Sequence, residues 1–339
     1  MTPVSHSRAA QVAYQDLLRL HLDEVASELI GSIEERSRNG RTYLYDKFRL
    51  GTEMKSRYLG EGTPELRTRL ARATELKGQG EERKKTMARL ARVLRAEGLI
   101  GTDRDTGSLL LAFARAGVFR LGGTLVGTAA YGLYQGELGV RFDSEELAQT
   151  GDIDFASFQR LSVALGDRVE ESPGEILQAL RFDPVPGVQD RQIWKWRQNR
   201  GEAMVEFLTP AFGDEGVKPL PALKVSAQAL NYLNFLIAEP IPAVALYRSG
   251  VLVRIPRPER FAIHKLIVAD RRHGGPDQAK SRKDRAQAAF LISILARDRP
   301  YDLAEAFEDA QSRGPRWRER LEATLARMPE SAAMLRGLM

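Results

Sequence analysis

Two aspartates one residue apart, Asp152 and Asp154, stand in the stretch Gly151–Asp152–Ile153–Asp154–Phe155, where polar and apolar residues alternate. Alternation of this kind marks a half-buried strand, and residues two apart on a strand share a face. The chain must therefore set two carboxylates side by side on a sheet, which their repulsion disfavours. A divalent cation removes the conflict. Mg²⁺ takes hard oxygen ligands, commonly one or two carboxylates together with substrate phosphates. Taken alone, a solvated turn with chance acidic residues explains the same stretch.

Two other segments give the pair a context. Gly122–Gly123–Thr124 follows Val118–Leu121, a short strand candidate, and leads into a helical segment, Thr124–Tyr134. Glycines admit a phosphate close to the backbone, and a helix N-terminus offers unpaired N–H groups and a favourable dipole. The Thr124 hydroxyl suits either a helix cap or a phosphate oxygen. An ordinary strand-to-helix turn accounts for these residues equally well when they stand alone. Glu206 is the one acid in Met204–Val205–Glu206–Phe207–Leu208, an otherwise apolar strand. Buried carboxylates need a partner or a metal, so Glu206 is a candidate third carboxylate that holds a metal or takes a proton from an attacking hydroxyl. A solvent-facing position on an edge strand is the alternative.

Around this centre the periodicity is mostly helical. Residues 9–33 carry apolar positions at helical spacing, and Thr63–Pro64–Glu65 opens a long charged helix pattern that runs to about Glu97. The stretch between them alternates aromatic and basic residues. Its Tyr43, Tyr45 and Phe48 suit either the core of the first domain, the reading favoured here, or an RNA backbone. Leu109–Ala114 and Pro173–Leu180 read as helices. Residues 191–197 and 203–208 read as a hairpin turning at Asn199–Arg200–Gly201, Val225–Ile237 as a helix, and 243–247 with 251–255 as a second hairpin. Beyond Pro258, helices are expected over 259–272, 283–297, 301–313 and 316–327. The expected class is α+β: a small mixed sheet with flanking helices, plus N-terminal and C-terminal helical regions. The expected division is a helical domain over 1–105, a catalytic core over 106–218, and a mixed then helical domain over 219–339.

Composition excludes several chemistries. With no cysteine there is no thiol nucleophile, Cys-ligated zinc or disulfide. The four histidines lack metal-ligand spacing, no Walker A motif occurs, and no Gly-x-Ser-x-Gly elbow occurs. No apolar run reaches the ~18 residues of a membrane span, and the first residues do not read as a signal peptide. A soluble, cytoplasmic protein is expected, with no membrane partner. The net charge of +6 fits a phosphate-bearing partner and equally fits solvated helix faces.

The order of pieces is strand, Gly-Gly-Thr, helix, Asp-x-Asp strand, hairpin, acidic strand. It resembles the DNA polymerase β-like nucleotidyltransferase superfamily. The segments FRLGGTLVGTAAY and TGDIDFA resemble its minimal bacterial branch, which includes the AbiEii and MenT toxins. Leu125 follows Thr124 one position early against that pattern. The insertion Phe142–Gln149 separates Arg141 from Thr150, the residues that match its Arg and Ser/Thr. The resemblance covers about 110–300 and implies the nucleotidyltransferase fold. It also implies transfer of a nucleoside monophosphate from an NTP to an acceptor hydroxyl on RNA, tRNA or protein.

Under the same resemblance Asp152, Asp154 and Glu206 would hold Mg²⁺ or Mn²⁺. Gly122, Gly123 and Thr124 would bind the triphosphate. Lys265 would meet its β- or γ-phosphate as a point charge, and Asp284 would orient Lys265 or the acceptor. A solvated helix Lys and a helix N-terminal Asp are the plain readings of the last two. A toxin or defence role with a cognate antitoxin is a further implication. Two other classes stand beside the enzyme: a non-catalytic nucleotide- or RNA-binding protein on the same fold, and a scaffold acting through the N-terminal helices.

Overall fold

The computed structural model describes residues 4–26, 32–38, 40–50, 53–78, 80–142, 152–156, 172–186, 192–199, 203–221, 223–274 and 278–339. The first helix, α1 (Arg8–Ala26), is followed by an antiparallel sheet of β1 (Ser32–Arg38), β2 (Arg41–Leu50) and β3 (Glu53–Glu61). An entirely helical first hundred residues is thus corrected. The charged run SIEERSR hides β1, because only one residue in it, Ile33, is apolar. The sheet packs through Leu44 against Leu70 of α2 (Pro64–Gly78), with Ile33, Leu59 and Leu66 around them. Tyr43 and Tyr45 are half-buried on the opposite face, so they do not form that core. The side chain of Phe48 lies outside the described residues. The long charged pattern is two helices, α2 and α3 (Gly80–Ala96).

After α4 (Arg104–Arg115), capped by the Asp103 carboxylate, comes the sheet that holds the acidic strands. Its strands are β4 (Thr124–Val126), β5 (Asp152–Ala156), β6 (Phe182–Pro184), β7 (Lys195–Gln198), β8 (Met204–Pro210), β9 (Val217–Leu220) and β10 (Val225–Leu230). The order is β4-β5-β8-β10-β9, with β7 joined to β8 and β6 to β7. It is a mixed sheet: β5 and β10 run parallel to β8, and the other pairs are antiparallel. Between β4 and β5 lies α5 (Gly127–Glu137), and α6 (Pro173–Ala179) starts at a Ser172–Glu175 capping box. The chain is α+β.

Three local expectations are corrected. Residues 118–122 form turns rather than a strand, and the helix begins at Gly127 rather than Thr124. Val225–Ile237 is β10 followed by a single turn, α7 (Leu233–Leu236), because Tyr232 at φ 73° breaks the run. The hairpin β11 (Ile241–Ala245) and β12 (Val251–Ile255) stands where its turn chemistry indicates. Five helices close the chain: α8 (Pro258–Arg271), α9 (Gln278–Asp298), α10 (Pro300–Ser312), α11 (Pro315–Leu325) and α12 (Pro329–Gly337), the last unforeseen in the sequence. One buried cluster runs from Leu109 to Leu335, uniting the sheet with these helices. Among the described residues no helix is long and apolar enough to cross a membrane.

Candidate active site

The strand register brings the acidic positions together. In the parallel β5–β8 pair, Asp152 lies opposite Met204 and Asp154 opposite Glu206. Neighbouring strands lie ~4.8 Å apart, so the backbone at 206 is the immediate neighbour of that at 154. The side chains of Asp152 and Asp154 are outside the described residues. β8 is interior to the sheet, flanked by β5, β7 and β10, so Glu206 is not on an edge strand. Its neighbours Val205 and Phe207 turn to the core while Glu206 keeps partial access to solvent.

Glu206 has a cationic partner that the sequence reading missed. Lys195 sits directly opposite it in the antiparallel β7–β8 pair, with Nζ 2.6 Å from Oε1. The ammonium also lies 5.9 Å from the centroid of the Trp194 ring. Both side chains are about three-quarters covered, so the pair sits where solvent screening is reduced. The signal was a Lys flanked by two tryptophans, but only the register reveals which carboxylate it meets.

The glycine turn is closed on itself. The Gly122 N–H donates to the Phe119 carbonyl and the Gly123 N–H to the Val118 carbonyl at 2.9 Å. The buried Thr124 hydroxyl donates to the Gly122 carbonyl at 3.2 Å. A Cβ at residue 123 would stand 2.7 Å from both the Val118 oxygen and its Cγ1, so only glycine fits without displacement. These three residues shape the entry into β4. The helix start lies three residues on, and there Val126 pairs with Asp154 in the antiparallel β4–β5 register. Val126 is the N-cap of α5, makes no side-chain cap, and is followed by Gly127 at φ 69°. The positive end of α5 therefore begins beside the Asp154 position.

Lys265 and Asp284 meet on α8 and α9. Lys265 Nζ lies 2.5 Å from Asp284 Oδ1, and Arg272 donates to Oδ2 at 2.6 Å. Lys265 is nearly covered and Asp284 is buried. The Lys265 ammonium lies 5.2 Å from the Phe261 ring centroid, and that ring meets Tyr131 at 6.0 Å and Tyr134 at 5.3 Å on α5. The Tyr134 hydroxyl donates to the Pro256 carbonyl. Phe261 thus ties the first turn of α8 to Tyr131 and Tyr134 of α5, and Lys265 stands one turn further along α8. His264 is held neutral, pushed down to about 3 by burial and then by the cations Lys265, Arg271 and Arg272.

A cavity of about 550 Å³ is elsewhere, lined by Glu239, Arg254, Arg257 and Arg299 among others. Arg299 is paired with Glu137 at the far end of α5, so this cavity is not where the acidic strands meet. Thr150 of the sequence pattern lies outside the described residues. Arg141 is described: its backbone N–H donates to the Val4 carbonyl, and its guanidinium donates to the Glu97 carbonyl at 3.5 Å.

Carboxylates on adjoining parallel strands are hard oxygen donors suited to Mg²⁺ or Mn²⁺, and one oxygen of Glu206 is already engaged by Lys195. No curated protein and no solved structure matches the chain. A family model described as Nucleotidyltransferase matches residues 104–312, well over half of the chain and all of the elements just described. This chain is therefore a member of a nucleotidyltransferase family, and nucleotidyl transfer from a nucleotide substrate is its class of chemistry.

Proposed function

We propose that the protein is a divalent-metal-dependent enzyme of nucleotidyltransferase fold that moves a nucleoside monophosphate from an NTP to an acceptor hydroxyl. The observation that carries this reading is the register of three strands: position 154 has Glu206 on one side and the uncapped start of α5 on the other. Asp152, Asp154 and Glu206 would hold Mg²⁺ or Mn²⁺, which when bound neutralises phosphate charge and lowers the cost of ionising the acceptor oxygen. The α5 N-terminus meets triphosphate oxygens with the backbone N–H groups and the positive dipole end of its first turn. Gly122, Gly123 and Thr124 hold β4 so that this end faces β5. Lys265, oriented by Asp284, keeps donor capacity for the β- or γ-phosphate. Lys195 fixes the Glu206 carboxylate, which takes the proton from the acceptor hydroxyl. The new bond joins the acceptor oxygen to the α-phosphorus, the bond from that phosphorus to the bridging oxygen breaks, and pyrophosphate leaves.

Purified protein with labelled NTPs, Mg²⁺ or Mn²⁺ and total RNA is expected to transfer label and release pyrophosphate, and Asp152→Ala with Asp154→Ala to bring both below detection. Label transfer unchanged in that double variant, or absent from the wild type with every NTP and acceptor, overturns the reading. A toxin or defence effector with a cognate antitoxin fits the same chemistry, with growth arrest on expression as its readout. The 2.6 Å Lys195–Glu206 pair favours a second reading, a nucleotide- or RNA-binding protein without turnover. NTP binding by calorimetry with no pyrophosphate release selects that one.

A further inference from the structure

The sheet β1–β3 has one face on α2 and one face open, and the open face is aromatic. Tyr43, Tyr45 and Tyr58 form one group there, with ring centroids 6.3 Å apart for Tyr43–Tyr58 and 5.4 Å for Tyr45–Tyr58. Tyr58 is 56% exposed, a large share for so apolar a ring. The Arg36 guanidinium lies 4.6 Å over the Tyr45 ring. The register explains the cluster: Arg36 pairs with Tyr43 across β1–β2, and Tyr45 with Tyr58 across β2–β3. Alternation then puts Leu44 on the α2 side.

Charge adds an independent argument. Residues 32–96 contain seventeen Lys and Arg against nine Asp and Glu, a surplus of eight. The whole chain has only six, so the rest of it is slightly acidic. The basic surplus is thus concentrated on the sheet and the two helices after it. Glu34 on the open face is already neutralised by Arg36 at 3.3 Å and Lys47 at 3.5 Å.

From these observations we infer that the open face of β1–β3 is a docking platform for single-stranded RNA. Bases stack on the tyrosine rings and on Arg36, while the net positive charge of the sheet and of the helices behind it draws the polyanion to this part of the chain at a distance. A folded acidic protein would use the charge but leave the ring faces idle. Duplex RNA hides its bases and offers nothing to stack. The inference rests on the nucleotidyl-transfer reading only in that it names RNA as the acceptor class. Binding itself needs neither NTP nor metal.

The test is fluorescence anisotropy on the full chain with a labelled single-stranded RNA of about twelve nucleotides, within the span such surfaces cover. Matching duplex RNA and polyglutamate serve as competitors. The single strand is expected to bind best, more weakly as salt rises, and to be displaced least by polyglutamate. Tyr58→Ala is expected to weaken binding about tenfold, Tyr58→Phe to retain it, and Arg36→Gln to weaken it several-fold. The solvent-facing position of Tyr58 keeps these variants folded, which thermal melts check. Tyr58→Ala with wild-type affinity, equal binding of duplex and single strand, or equal competition by polyglutamate overturns the platform. The Asp152→Ala, Asp154→Ala protein is measured in parallel: RNA binding retained there while label transfer fails separates this platform from the fate of the catalytic proposal.

Discussion

Asp284 supports two cations at once, Lys265 at 2.5 Å and Arg272 at 2.6 Å, from a position that water scarcely reaches. Removing one member of a covered ion pair strands the other, at a cost of ~3–5 kcal/mol. Asp284→Ala is accordingly expected to lower the melting temperature by several degrees, and Asp284→Asn, which keeps an acceptor, by less. Equal melting of both with wild type would mean that Lys265 finds another partner. The neighbouring His264 makes a prediction of opposite kind. Its folded pKa, about 3, lies below the ordinary 6.5, so the unfolded chain takes up the proton first as pH falls. Stability from neutral His264 is whole above about pH 6.5 and is lost progressively as the pH falls towards 3. The loss between pH 7 and 5 is about 1–2 kcal/mol by linkage, at the low end because the ring keeps some contact with water. His264→Asn is expected to melt with a flatter pH dependence across that window; an unchanged slope in calorimetry would show that other groups set it.

At the level of elements, the turn before β4 governs how the site is assembled. Gly123→Ala forces a methyl to within 2.7 Å of the Val118 carbonyl, which must shift β4 and the start of α5 together. A loss of about 2–3 kcal/mol is expected for such overpacking, with NTP affinity falling more than in Gly122→Ser, whose added Cβ meets open space although its φ of 93° carries strain. Equal NTP affinity in the two variants, by calorimetry, would detach the turn from the site. Strands β5 and β8 were legible because each sets acidic residues between apolar ones in a short run, a pattern written within five residues. The partners were not: that Glu206 meets position 154 on one side and Lys195 on the other is a property of register, which depends on contacts made far along the chain. β1–β3 escaped for a different reason. Among the described residues the apolar side towards α2 is Ile33, Leu44 and Leu59, set among charged residues that blur the period. β10 escaped because VSAQAL followed by LNFL has helical spacing, and only the left-handed Tyr232 between them breaks it. The helix start was misplaced by three residues, since Thr124 offers a hydroxyl that caps the turn behind it rather than the helix ahead.

On the scale of the molecule, the N-terminal third is bound to the rest by more than a linker. Residues 5 and 140 form a β-bridge, the Arg141 N–H donates to the Val4 carbonyl, and Ile100 exchanges hydrogen bonds with the Gln135 amide. The buried Tyr14 hydroxyl accepts from the Val244 N–H, and Leu17, Leu94 and Leu99 share one apolar cluster with Val244 and Leu246 of the second hairpin. A chain beginning at residue 101 would expose Val244 and Leu246, now 2% and 4% accessible. Each fully buried side chain of this kind contributes roughly 1.5–3 kcal/mol, and the freed Val244 N–H and Gln135 amide add further cost. Such a truncation is expected to melt more than ten degrees lower or to aggregate, although the family match begins at residue 104. A soluble fragment with the melting temperature and label transfer of the full chain would mean that the contact is dispensable, and the first hundred residues would then be free to act as a separate RNA-binding module. Lost stability with label transfer lost as well is the outcome expected if the N-terminal helices and the catalytic sheet are parts of one folding unit.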